Sequence, residues 1–182
     1  MPYRYFKSLI LAFALLPAVA NAQDVLTTAT PDELVRSLNP ATAQAEKIRG
    51  LKIVAANGPV KINSYGDKLT ATVNLAVTFE FASAVLTPDA QKLLDSVGEA
   101  LQSRDLAAYR FLIGGHTDAT GSDDANLQLS RARAASTTRY LVERQRVDPR
   151  RLVIRAFGET ALLFPAIPED GRNRRVEIST LK

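Results

Sequence analysis

The sharpest pattern in the chain is the alternation of Leu69, Ala71, Val73, Leu75, Val77, Phe79 and Phe81 with Thr70, Thr72, Asn74, Ala76, Thr78, Glu80 and Ala82. Apolar side chains at period two predict a strand along this whole stretch, buried on one face. Thr87-Pro88-Asp89 then opens a helix that directs Leu93, Leu94, Val97, Ala100 and Leu101 inward. Residues 109–113 predict a second strand, closed by Gly114-Gly115, and Ser122 or Asp123 caps a longer helix running to about Gln145. Asp148-Pro149 is turn chemistry, residues 152–157 predict a third strand, and residues 174–180 a fourth with Val176 and Ile178 on one face. The order β-α-β-α-β-β predicts an α+β fold: a mixed sheet with two main helices on one face and the last strand antiparallel.

Ahead of this block lie two different kinds of segment. Residues 1–22 carry Arg4 and Lys7, an apolar run over 8–19 interrupted by Pro17, and the small residues Ala20-Asn21-Ala22. That is the tripartite pattern of a secretory signal peptide, and about 12 apolar residues fall short of the ~20 that span a bilayer. Residues 23–68 read as a short leader. Thr30-Pro31-Asp32-Glu33 forms a capping box with Pro at the first helical position, followed by Leu34, Val35 and Leu38 at helical spacing. Asn39-Pro40 stops this brief helix, and turn residues prevail to Gly66. Residues 69–182 are expected to form the functional domain and to fold without the leader.

Composition narrows the chemistry. The 182 residues include no Cys and one His, which excludes a disulfide framework, a thiolate zinc site, a Cys nucleophile and a multi-histidine metal centre. The formal charge is +4, and removal of Arg4 and Lys7 leaves 21 basic against 19 acidic residues. Eleven arginines fall between Arg131 and Arg175, but Arg139, Arg144, Arg146 and Arg150 are a solvated face, and an exported chain does not meet nucleic acid. Asp118, Asp123 and Asp124 with Gly121 lack the glycine position and bidentate Glu of a calcium loop, so no metal or other cofactor is expected. No nucleophile elbow exists and Ser130 lies within a helix, so the chain is expected not to be an enzyme and His116 to be a structural hydrogen-bonding residue.

The second long helix holds the anomaly. Leu129, Ala134, Tyr140 and Leu141 define its apolar face, yet Asn126, Ser130 and Arg133 lie on that face too. An unpaired buried guanidinium is costly, so Arg133 must find an anion, and Asp118 in the preceding loop is at hand. Two readings stay open on these residues alone. One is a plain Arg133–Asp118 salt bridge tying loop to helix; the other is a pocket where a zwitterionic ligand replaces that pair.

Gly115-His116-Thr117-Asp118, Gly121, Asn126, Leu129-Ser130, Arg133-Ala134 and Asn173-Arg174-Arg175-Val176-Glu177, with 15 positions from Asp118 to Arg133, resemble the signature of the OmpA-like peptidoglycan-binding domain. The resemblance spans about residues 73–182. It implies noncovalent binding of the meso-diaminopimelate in the peptidoglycan stem peptide, with Asp118 receiving the ligand ammonium and Arg133 a carboxylate. By the same resemblance Asn126 hydrogen-bonds the ligand, Thr117 sits where backbone groups line the pocket, and the loop at about 81–84 adds backbone contacts. His116, Ser130, Gly115, Asn173 and Arg174 are supporting residues; Arg174 braces the acidic loop, whereas Arg175 is expected to face solvent.

The resemblance places the chain in the periplasm of a diderm bacterium, wall-associated and envelope-stabilising, held near the outer membrane by another protein if at all. The competing reading is an envelope assembly component whose leader docks on a protein partner, wall binding being secondary. The apolar stretch Ala161-Leu162-Leu163-Phe164 fits core, leader packing or a protein contact. The N-terminal pattern carries its own test: mass spectrometry of secreted material should find a chain beginning at Gln23, and a mature protein that keeps residues 1–22 would refute export.

Overall fold

The structure, a computed structural model, describes residues 25–43, 69–81 and 83–181. The expected signal peptide with its cleavage site, and the turn-rich stretch from 44 to 68, lie outside the described residues.

Helix α1 (Pro31–Leu38) starts on the expected capping box: Glu33 N–H donates to Thr30 Oγ1 at 3.4 Å, and Thr30 N–H to Glu33 Oε2 at 2.9 Å. Asn39 caps its end, and Pro40 opens a further helical turn whose Ala43 is buried. Strand β1 (Leu69–Leu75), helix α2 (Pro88–Gln102), strand β2 (Arg110–His116) and helix α3 (Asp123–Glu143) follow. A 3₁₀ turn (Pro149–Arg151) leads to β3 (Leu152–Gly158), and a second (Gly171–Asn173) leads to β4 (Val176–Leu181). Thr87 and Ser122 cap α2 and α3, each accepting a backbone N–H three residues on.

The four strands form one sheet in the order β1-β4-β2-β3. The last strand lies inside the sheet, antiparallel to β1 and β2, while β2 and β3 run parallel. This is the predicted α+β architecture. The first strand is shorter than its alternation predicts. Leu75 pairs with Val176, the first residue of β4, so beyond Leu75 the ladder has no partner strand. The chain then pairs elsewhere: Ala76 N–H bonds to Leu26 C=O, Phe79 bridges to Leu86, and Phe81 is 99% exposed. Alternation reports which side chains could share a face, but a strand also needs a neighbour to bond to.

The core does not close with residues 69–182 alone. Leu34 and Leu38 of α1 are buried together with Leu75, Leu94, Leu101 and Ile178, and Thr180 Oγ1 donates to Leu38 C=O at 2.6 Å inside it. Leu26 adds parallel pairing at the end of β1. The leader helix therefore packs on α2 and β1. The stretch 161–164 instead folds over Asn173 and Arg172, whose guanidinium covers the Phe164 ring at 3.8 Å.

Burying one Leu removes it from water and fills a dense interior, and truncating it leaves a cavity. Leu38→Ala should therefore lower the unfolding free energy by about 2–5 kcal/mol. Chemical denaturation of the two proteins checks this, and a chain starting at residue 69 should be less stable still.

Candidate ligand-binding site

The site forms where β2 and β3 end side by side and α3 begins. Its geometry depends on two close backbone approaches at glycines. A Cβ on Gly115 would stand 2.1 Å from the Ser130 carbonyl oxygen, so α3 lies directly on the backbone of β2. Gly158 has φ +53°, a left-handed conformation suited to glycine, and passes against Asn126 and Leu127. Ser130 joins helix to sheet: its Oγ accepts the Gly158 N–H at 3.0 Å and donates to Leu127 C=O. The buried stripe of α3 is Asn126, Ser130, Ala134, Thr137 and Leu141, so small polar residues do much of the work assigned to Leu129, which is only partly buried.

After β2 the chain is held from three sides. His116 N–H bonds to Arg175 C=O, Thr117 N–H to Gly158 C=O at 2.9 Å, and Ala119 N–H to Pro168 C=O at 3.0 Å. This fixes Asp118, whose side chain is 9% exposed and whose Oδ1 accepts Thr120 N–H at 3.2 Å. Its Oδ2 pairs with Arg174 Nη1. Asn126, buried at the first turn of α3, points Nδ2 at the carbonyls of Asp118 and Thr120 and at Glu159 Oε2, 2.6 Å away. Thr117 is buried, and its Oγ1 has no hydrogen-bond partner among the described residues. Of the expected residues, Asp118, Asn126, Arg133 and Thr117 converge on this loop–helix junction.

The simple Arg133–Asp118 salt bridge is not what the structure forms. Arg133 is half-buried, and its Nε donates to the Ser83 carbonyl at 3.3 Å while its guanidinium lies 5.0 Å from the Phe79 ring centroid. Burial and the nearby positive charge of Arg174 pull its pKa below the usual guanidinium value, with Asp118 opposing them. The junction thus presents a carboxylate shared with one arginine, and a second, partly desolvated arginine that has no carboxylate within ion-pair distance among the described residues.

Arg174 pairs with Asp118 of the acidic loop, with its side chain 53% exposed. Arg175 does not face solvent. It is buried, with Nε on Asn74 Oδ1 at 2.8 Å, Nη1 on Asn173 C=O and Nη2 on Ala161 C=O. The face that alternates away from Val176 and Ile178 is not open to solvent here: Arg175 shares it with Asn74 and Glu177, and Ala161 and Asn173 close over it. Asn173 is a loop pin: Oδ1 accepts Leu163 and Phe164 N–H, and Nδ2 reaches Ile167 and Pro168 carbonyls. His116 is buried, stacked on Phe157 at 4.6 Å, with Nε2 3.3 Å from Glu177 Oε2. Phe79, Glu159 and Glu177 also touch these residues, at Arg133, Asn126 and His116 respectively. Phe79 read as strand core and Glu177 as part of the closing motif. The only signal for Glu159 is its place directly after a glycine at a strand end.

A model of the OmpA family matches residues 78–175. "Outer membrane protein A" of Bordetella avium is 35% identical over 107 residues, covering 58% of this chain and 54% of that one. "Peptidoglycan-associated lipoprotein" of Pseudomonas aeruginosa is 30% identical over 125 residues, 68% of this chain and 72% of that one. "Probable lipoprotein YiaD" of Escherichia coli is 32% identical over 122 residues, 66% of this chain and 54% of that one. The chain thus spans about half the length of the first and third of these relatives. Among solved structures, the OmpA-like domain of FopA1 from Francisella tularensis is 26% identical with a TM-score of 0.52, covering 67% of this chain and 79% of that one. The periplasmic domain of Helicobacter pylori MotB shares the fold at 20% identity and a TM-score of 0.54, covering 67% of this chain and 87% of that one.

The buried His116–Glu177–Arg175 group makes the fold acid-sensitive. Burial pushes the His116 pKa below its ordinary 6.5, so the folded protein binds that proton less readily than the unfolded chain. For Glu177, burial acts upward, but His116, the Ser179 hydroxyl and the Arg175 charge outweigh it and bring the carboxyl down to about 2 from 4.5. Both shifts act in one direction: the unfolded state takes up more protons, so stability falls with falling pH. Melting temperature should decline as pH drops below about 6.5, and decline again between about 4.5 and 2. Glu177→Gln should flatten the lower step.

Proposed function

The chain belongs to the OmpA family, and on that footing we propose that it is an exported, non-enzymatic module that binds peptidoglycan without a covalent bond and tethers itself to the cell wall of the periplasm. The observation that carries this reading is the separation of charge in the cleft. A nearly buried Asp118 carboxylate and a partly desolvated Arg133 guanidinium sit at one junction without neutralising each other. A ligand that brings both an ammonium and a carboxylate satisfies the two together. The free amino-acid end of meso-diaminopimelate in the stem peptide is such a group. Its ammonium takes the acidic loop at Asp118, and its carboxylate takes the planar fork of Arg133. Asn126 fixes the loop carbonyls around Asp118, and Thr117 supports the same loop from below.

The name of the Pseudomonas relative, and the outer-membrane names of others, support an envelope location with the wall as the ligand. The rival reading, a leader that docks on another envelope protein, is less favoured because α1 spends Leu34 and Leu38 on the chain's own core.

Removing one member of a desolvated charge pair costs about 2–5 kcal/mol of binding. Asp118→Ala and Arg133→Ala should each abolish detectable cosedimentation with diaminopimelate-type sacculi. Arg133→Ala should change the melting temperature little, since no salt bridge is broken with it. Lysine-type sacculi lack the side-chain carboxylate and should bind much more weakly. Equal sedimentation with both wall types, or normal binding by the variants, would remove these residues from the ligand site.

A further inference from the structure

Building on that reading of the cleft, we propose that Phe79 and the loop after it are a positioning device for Arg133, holding its guanidinium so that a ligand carboxylate is received end-on by the two terminal Nη groups. A guanidinium has a side edge, formed by Nε and one Nη, and an end edge, formed by both Nη groups, and a carboxylate can lie along either. In this chain the side edge is committed, because Nε donates to the Ser83 carbonyl at 3.3 Å. One π face is covered too, by the Phe79 ring with its centroid 5.0 Å from Cζ. The negative face of an aromatic ring attracts a cation electrostatically without neutralising its charge. Arg133 therefore stays charged, partly desolvated and oriented, with its end edge left for an incoming anion.

The device is anchored at both ends. On its inner side the partly buried Phe79 packs against the hydrophobic core, which restrains the ring beside the guanidinium. The loop that carries Ser83 is closed by its own backbone: Phe79 bridges Leu86, Glu80 N–H bonds to Val85 C=O at 2.9 Å, and Ser83 N–H to Glu80 C=O at 3.1 Å. Ser83 Oγ accepts Val85 N–H at 3.0 Å. At its base Thr78 Oγ1 and Thr87 Oγ1 share a hydrogen bond, and Thr87 is also the cap of α2. An arginine on α3 is thereby set by a ring and a carbonyl from the loop between β1 and α2, a loop closed by the Phe79–Leu86 bridge and the Thr78–Thr87 hydrogen bond. The sequence distance between Phe79 and Arg133 conceals this; neither residue type nor spacing announces it.

Phe79 is thus a positioning residue, and the test must separate orientation from packing. Calorimetric titration of the full chain would use two soluble probes: the tripeptide L-alanyl-γ-D-glutamyl-meso-diaminopimelate, and the same peptide with the side-chain carboxyl amidated. The wild-type chain should prefer the acid probe at least about tenfold, as expected for loss of one charge-assisted carboxylate contact. Phe79→Leu, and a ring-trifluorinated phenylalanine at the same position that keeps the shape but depletes the negative face, should each weaken the acid probe about fivefold and leave the amide probe unchanged. Phe79→Tyr should retain the wild-type preference. An unchanged preference in the fluorinated protein, or equal losses for both probes, would overturn the positioning role and leave wall binding standing. A wild-type chain that does not tell the probes apart would overturn the ligand assignment, and the role of Phe79 with it.

Discussion

The structure depends on how closely α3 can approach the sheet. At Gly115 the helix backbone rests on the strand backbone, with the Ser130 carbonyl where any side chain would have stood. That contact sets the height of α3 above β2 and β3, and the Ser130 hydroxyl locks it by accepting the Gly158 N–H. Because the helix sits so low, its first turn meets the loop after β2, and Asn126 reaches carbonyls from that loop with its side-chain amide. Even an alanine at position 115 would lift the helix and uncouple the acidic loop from it.

A second constraint is how charge is distributed around the cleft. Four arginines and four carboxylates lie near one another, yet they are divided among separate duties. Arg175 is spent inside, on Asn74 and two backbone carbonyls, with Glu177 and His116 beside it. Arg172 pairs with Asp170 and covers Phe164, holding the long loop after β3. Arg174 steadies Asp118 from the solvent side, and Glu159 engages Asn126. Arg133 alone of the four is given a ring and a carbonyl instead of an acid. A buried charge stabilised by dipoles and an aromatic face keeps some of its attraction for an external anion, whereas a charge already neutralised by a carboxylate has much less to offer.

Much of this was legible in the sequence because it rests on local rules. Capping residues at Thr30, Thr87 and Ser122, the inward row of α2 and the order of strands and helices each follow from spacing over a few residues. The acidic loop and the polar residues on α3 were visible as an anomaly of the same kind. What was not visible depends on partners remote in the chain. The end of β1 is set by where β4 begins, about a hundred residues later. The burial of Arg175 follows from Asn74 and Ala161, and the environment of Arg133 from Phe79 and Ser83. Whether α1 belongs to the core is likewise decided by Thr180 and Ile178, not by its own amphipathic pattern.

The position of β4 also bears on how the protein reaches this state. Strand β4 follows the other three described strands in sequence yet lies inside the sheet, so a polypeptide emerging with its N-terminus first carries β1, β2 and β3 with a gap between the first two until β4 follows. Until Val176–Leu181 arrives, β1 has no ladder, Leu38 has no Thr180 to accept from, and the binding loop lacks both Arg174 and Arg175. Contacts of such long sequence separation make folding slower than local pairing would. The sheet is consequently kept unfinished until Val176–Leu181 is free, and the completion of the core and of the charged site becomes a single event.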